Sequence, residues 1–276
     1  MSEMEGNIEI FDAHMHYTGK FLNKNETLIE FMDRFGIDRA VINTLNVSAN
    51  SNLLINDMKS IDDEEYGERV YENNRYDHSQ ILTLIKEHPE RLEAFYWFNP
   101  RNAEEEDWKL LKSHILDYNF KGVKTQGTLD NLRIPDDFHA LADFCLQHDI
   151  PLFFHSGQAF FYQNSYRAKD IFEFVKQYKD LQLILGHAAY TMEYLINVLR
   201  YFPNMKNVFF ETSLSVPYGI NVLIKVMGQK RVMYGSDAPA ATTPDIEINK
   251  IKILNLKQDV LEDVFYNNIN NLISEK

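Results

Sequence analysis

The chain has 276 residues, 45% hydrophobic and 25% charged, with a formal net charge of -13, a globular composition whose length suits two small domains or one α/β barrel of about 250 residues. That acidic balance argues against a nucleic-acid-binding surface, which needs a basic footprint; no apolar run approaches the ~20 residues of a membrane span. The opening "MSEMEGNIEI" lacks the basic start and apolar stretch of a signal peptide, and the lone Cys145 fits a reducing cytoplasm.

The first strand is predicted over "IEIFDAH", and the extended chain through it places His14 and His16 on one side, about 7 Å apart. A helix follows in "TLIEFMDRFG": Leu28, Phe31, Met32 and Phe35 share a face, Thr27 and Glu30 form a capping box, and Gly36 is the stop. The second strand is "DRAVINTL". The connection after it, residues 46–77, is polar, Asn-rich and acidic, and its length marks it as a lid or a flexible insertion. Strands three and four are "RLEAFYWFNP", in which Trp97 is expected to pack within the barrel, and "FKGVKTQ", with Lys124 near its end.

Beyond Arg133, "FHALADFCLQHD" repeats apolar residues at Phe138, Leu141, Ala142, Cys145 and Leu146, so Cys145 belongs to the inner stripe of a helix and is not a nucleophile. Strand five, "IPLFFHSG", ends in His155; Phe160 and Tyr162 after it are candidates to line a pocket for a flat substrate, and Arg167 follows. The helical patterns "KDIFEFVKQYKD" and "MEYLINVL" flank strand six, "LQLILGHA", which ends in His187. "NVFFETSL" and "RVMYGSD" supply strands seven and eight, the last ending in Asp237.

Alternation of these strands with helices predicts a (β/α)8 TIM barrel, one domain over residues 1–276, with a long loop insertion after strand two. Closure of the barrel would bring His14, His16, His155, His187 and Asp237 to the C-terminal rim, where barrel active sites lie. Ionisable groups that end strongly apolar strands have little packing rationale, and imidazoles with a carboxylate suit zinc and, less closely, harder divalent ions. The remaining histidines, His78, His88, His114, His139 and His148, fall in helical or connecting segments and are expected to be packed or solvated.

The motifs "DAHMH", "GVK", "FHSG", "GHAA", "GSDAP" and the closing "NNINNL" run in this order over almost the whole chain. Together they resemble the amidohydrolase superfamily, in the branch that includes aminocarboxymuconate-semialdehyde decarboxylase. The resemblance implies His14, His16, His155 and Asp237 as ligands of one divalent ion, zinc ahead of manganese, and His187 as a group that polarises or protonates the substrate. It also raises two roles for Lys124: a carboxylated bridge to a second ion, or an anchor for a substrate carboxylate. The chain departs from the family at "YTGKF" and at "TQGTL", where Leu-His-Pro is common; both segments would face substrate.

The leading expectation is therefore a metal-dependent hydrolase of a small amide, lactone or ester. Asp237 would take a proton from metal-activated water, and His187 would hydrogen-bond the developing oxyanion. The alternative is non-oxidative decarboxylation of an unsaturated or aromatic acid, its carboxylate held by Lys124, Arg133 or Arg167. A third reading is a non-catalytic metal-binding barrel. A TatD-like nuclease would need a glutamate near strand four, and a polymerase-and-histidinol-phosphatase site a histidine soon after the last aspartate; neither is present. A small-molecule substrate is expected, without nucleic acid or membrane, and a homo-oligomer is compatible with the sequence.

Overall fold

Eight short runs of Val, Ile, Leu and Phe form parallel strands: β1 (Phe11–His16), β2 (Arg39–Asn43), β3 (Leu92–Trp97), β4 (Gly122–Gln126), β5 (Leu152–His155), β6 (Leu183–Gly186), β7 (Val208–Glu211) and β8 (Val232–Met233). The computed structural model describes residues 8–45, 75–127, 130, 132–156 and 167–274. Neighbouring strands pair in chain order from β1 to β8, and the ring closes where Ala13 N–H donates to the Tyr234 carbonyl and Met15 bridges Ala238. Their nearly continuous apolar character follows from burial on both faces, by the barrel interior on one side and the helices on the other. This is the expected TIM barrel. Residues 46–74 of the expected insertion lie outside the described residues, as do Phe160 and Tyr162. No helix among the described residues is long and apolar enough to cross a membrane.

Local signals act where the sequence puts them. Thr27 Oγ1 accepts the Glu30 N–H at 3.2 Å and the Glu30 carboxylate accepts the Thr27 N–H at 2.8 Å, starting the helix Leu28–Phe35. Gly36 ends it at φ 67°, in the left-handed region that costs a glycine nothing. Cys145 is buried in the helix His139–Gln147, as its apolar stripe predicted.

Inside the barrel the side chains stack in layers. Phe11, Ala13, Val41, Phe95, Phe153, Ile184 and Met233 form the lower layer, closed from below by Ile269, Leu272 and Ile273. In β1 the pairing runs Asp12 to Ala40 and then Met15 to Ile42, so three steps on β1 meet two on β2. This bulge switches the inward side of β1 from odd to even residues. Met15 joins the outer core instead, and His14 turns inward with its ring 4.8 Å from that of Phe153. Without the extra residue, His14 and His16 would face the helices.

Of the remaining histidines, His78 and His114 are buried. His78 lies flat on Tyr96, ring centroids 3.9 Å apart, and its Nε2 accepts the Trp97 N–H at 2.9 Å. Burial first, and then His114 beside it, lowers His78 from 6.5 to about 3. The unfolded chain protonates this group below its ordinary value while the folded chain does not, so stability falls as pH drops through that window, by up to about 1.4 kcal/mol per pH unit. His78→Gln keeps an acceptor for Trp97 and is expected to flatten the fall of the urea midpoint between about pH 6 and 4. An unaltered slope would show that His78 titrates alike in both states.

Candidate metal centre and active site

Every ionisable residue predicted at a strand end reaches the C-terminal mouth of the barrel. His14 and His16 come from β1, His155 from the end of β5, His187 from the residue after β6 and Asp237 from the turn after β8. His187 and Asp237 are both left-handed, at φ 57° and 58°, a conformation that non-glycine residues keep where surrounding structure enforces it. For Asp237 the enforcement is visible, because its N–H donates to the His14 carbonyl at 2.7 Å.

The side chains form a continuous chain of contacts. His16 Nε2 lies 3.0 Å and His14 Nε2 3.4 Å from the same oxygen, Asp237 Oδ1. Donor atoms of His14, His187 and Asp237 all lie within 4.8 Å of one another. His155 Nδ1 is 3.1 Å from His187 Nε2. Two ligands of one ion, each about 2.1 Å from it, sit roughly 3–3.5 Å apart, and Asp237 has that spacing to both His14 and His16. The tightest group includes His187, which was expected beside the ion and not among its ligands; His16 and His155 attach at its two ends.

The protonation states suit the same purpose. Burial, followed by the Lys124 ammonium, holds His14 and His16 below the ordinary imidazole value. For His155 burial and then His187 do so. Burial opposes ionisation of Asp237, but His14, His16 and His187 outweigh it and keep the carboxyl well below its usual range. Neutral imidazoles around an ionised carboxylate are the form in which these groups bind a metal.

Lys124, on β4, is 1% exposed and hydrogen-bonded to His14 Nε2. Its Nζ lies 4.8 Å from the Trp97 ring centroid and 5.3 Å from that of Phe153. Burial pulls it down to about 8, against the opposing pull of Asp237 and Glu211. Trp97, expected to serve only barrel packing, also walls the site: its ring is 6.0 Å from that of His16, it stacks on Tyr76, and its indole N–H donates to Asp130. The arginines are elsewhere. The Arg167 side chain is 73% exposed and paired with Asp170 at the start of its own helix, and Arg133 is exposed, its backbone bonded to Asp137.

Three polar residues of the site were not anticipated. Glu211, at the end of β7, is fully buried beside His14 and His187, and burial pushes its carboxyl upward. Ser213 sits between Glu211 and His187. Asp12 accepts the N–H groups of His14 and Ser236 through one oxygen and so ties β1 to the turn after β8. The signal for Glu211 was in view, since "NVFFETS" ends an apolar strand in an ionisable residue just as "LFFHS" does. At the opposite end of the barrel a separate cavity of about 680 Å³, bordered by Lys176, Lys179 and Lys206, contains none of these groups.

Comparison with known proteins agrees with this architecture. A family profile described as amidohydrolase (Amidohydro_2) matches residues 11–272. Among solved structures, 5-carboxyvanillate decarboxylase from Novosphingobium aromaticivorans, complexed with manganese and 4-hydroxy-3-methoxy-5-nitrobenzoic acid, superimposes with a TM-score of 0.68 at 14% identity, over 98% of this chain and 97% of that one. A putative amidohydrolase from Staphylococcus aureus gives 0.68 at 18% identity, over 96% and 99%. The 2,6-dihydroxybenzoate decarboxylase from Rhizobium gives 0.64 at 16% identity, over 98% and 99%. No curated protein sequence matches. Motifs, barrel and a profile that spans nearly the whole sequence converge, and the chain belongs to the amidohydrolase family Amidohydro_2.

Proposed function

We propose that this protein is a metal-dependent decarboxylase of a small, flat carboxylic acid, with His14, His16, His155 and Asp237 as the ligand set and His187 at its edge. The observation that carries this reading is Lys124. A buried ammonium on which Asp237 and Glu211 pull without a direct ion pair, set against the faces of Trp97 and Phe153, gains from an anion that meets it directly. An acid substrate supplies that anion and lays its plane on the aromatic wall; an uncharged amide or lactone does neither. Decarboxylation thus displaces hydrolysis as the leading reading, and the structural neighbours that act on substituted benzoic acids support it.

A divalent ion bound here would polarise the acid and the oxygen substituent beside it. Manganese is favoured over the zinc expected from the ligand types, because neighbouring structures hold manganese and an imidazole–carboxylate–water set accepts it. When the carbon–carboxylate bond breaks, CO₂ leaves its electron pair on the ring carbon, which takes up a proton. That proton comes from solvent, and Asp237, ionised at rest and within 4.8 Å of a His187 donor atom, is the group that would relay it. Lys124 holds the acid in register meanwhile.

Hydroxybenzoic acids and unsaturated diacids, offered to protein loaded with manganese or zinc, test the reading directly. CO₂ release that stops on chelation supports it. Opening of lactones or esters, with no CO₂ from any acid, would return the assignment to hydrolysis.

A further inference from the structure

We propose that Glu211 is a positioning residue that orients His14 directly and His187 through Ser213, and that Gly235 lacks a side chain in order to admit it. The proposal deepens the metal-centre reading above and rests on it.

Glu211 Oε2 is 3.3 Å from His14 Nδ1 and accepts the His187 backbone N–H at 3.1 Å and the Ser213 hydroxyl at 2.8 Å. Its other oxygen accepts the Ser213 N–H. The Ser213 hydroxyl oxygen is also 2.8 Å from His187 Nδ1 and 3.4 Å from His14 Nδ1. The Ser213 carbonyl lies 3.2 Å from His187 Nδ1 and can only accept, and the hydroxyl, whose own proton goes to the carboxylate, accepts as well, so His187 carries its proton on Nδ1. His14 must do likewise toward Glu211. Both Nε2 atoms are then lone-pair donors, His14 Nε2 aimed at Asp237 and His187 Nε2 at His155. Glu211 thus receives the Nδ1 proton of His14 directly and holds the Ser213 backbone whose carbonyl receives that of His187, the arrangement by which an outer carboxylate orients and strengthens an imidazole ligand.

Gly235 makes the room that Glu211 occupies. A Cβ there would lie 2.2 Å from Glu211 Oε1 and 2.7 Å from its carboxyl carbon. The chain leaves an interior position of the last strand end empty, and the space is filled by a buried acidic group from β7.

The test uses E211Q, which keeps shape and loses charge, S213A, and G235A, which expels the carboxylate. Manganese and zinc affinities are measured by competition with a chromogenic chelator, and imidazole tautomers of the apo protein by ¹⁵N-resolved NMR. E211Q and G235A are each expected to weaken metal binding by about 10–100-fold. Their combination should be no weaker than the worse of the two, because both remove one interaction. S213A, which keeps the backbone carbonyl at position 213 and leaves Glu211 in place, should leave both rings protonated on Nδ1. Wild-type protein that takes up neither metal would sink the metal centre itself. Wild-type binding matched by E211Q, with the His14 ring signals unchanged, would overturn the role of Glu211 alone.

Discussion

Asp237→Asn is expected to lower turnover by about 10²–10⁴-fold, the range lost with a general acid–base group, and to weaken metal binding in the same variant. The two losses share a cause. Asp237 Oδ1 is the atom on which His14 and His16 converge, and its carboxyl is held ionised among imidazoles. Asparagine keeps the shape and the backbone N–H that bonds the His14 carbonyl, so the fold survives and the thermal midpoint changes little. The negative charge goes, and with it the oxygen best suited to a divalent cation. A variant with unchanged metal affinity and undiminished turnover would remove Asp237 from the chemistry.

Lys124→Met separates function from stability in a different way. Methionine fills similar volume between Trp97 and Phe153 without a charge. Replacing a buried charge with an apolar side chain is commonly neutral or stabilising, so the thermal midpoint is expected to hold or rise. Truncating one partner of a buried, hydrogen-bonded charge pair costs ~2–5 kcal/mol of binding, so the KM for an acid substrate should rise by about 30-fold or more. Gained stability beside lost binding marks a residue retained for function. A lowered midpoint with unchanged KM would make Lys124 a structural residue. Were Lys124 instead a carboxylated bridge, the wild type would hold a second ion that the variant loses.

The fold was legible because its signals are local. Apolar runs alternate with amphipathic helices, and Thr27, Glu30 and Gly36 cap their helix as read. The strand-end histidines were legible too, since an imidazole that closes "PLFF" or "LILG" has nothing apolar to do there. Inward or outward orientation was harder. A strand buried on both faces shows no alternation, so nothing in "AFYWF" says that Trp97 looks into the site. The bulge that turns His14 inward depends on pairing with β2 and leaves no mark within β1. Gly235 gains its meaning only from Glu211 on the neighbouring strand β7. Arg133 and Arg167 follow strand ends in sequence, yet the described backbone carries them out to solvent.

Metal stoichiometry bears most directly on the central claim, that the cluster of His14, His16, His155, His187 and Asp237 is a divalent metal centre. Protein purified without chelator, stripped, and titrated with manganese and with zinc is to be assayed by elemental analysis, with Asp237→Asn alongside. The predicted result is about one tightly bound equivalent in the wild type and loss of tight binding in the variant. No uptake of either metal by the folded wild type would contradict the account.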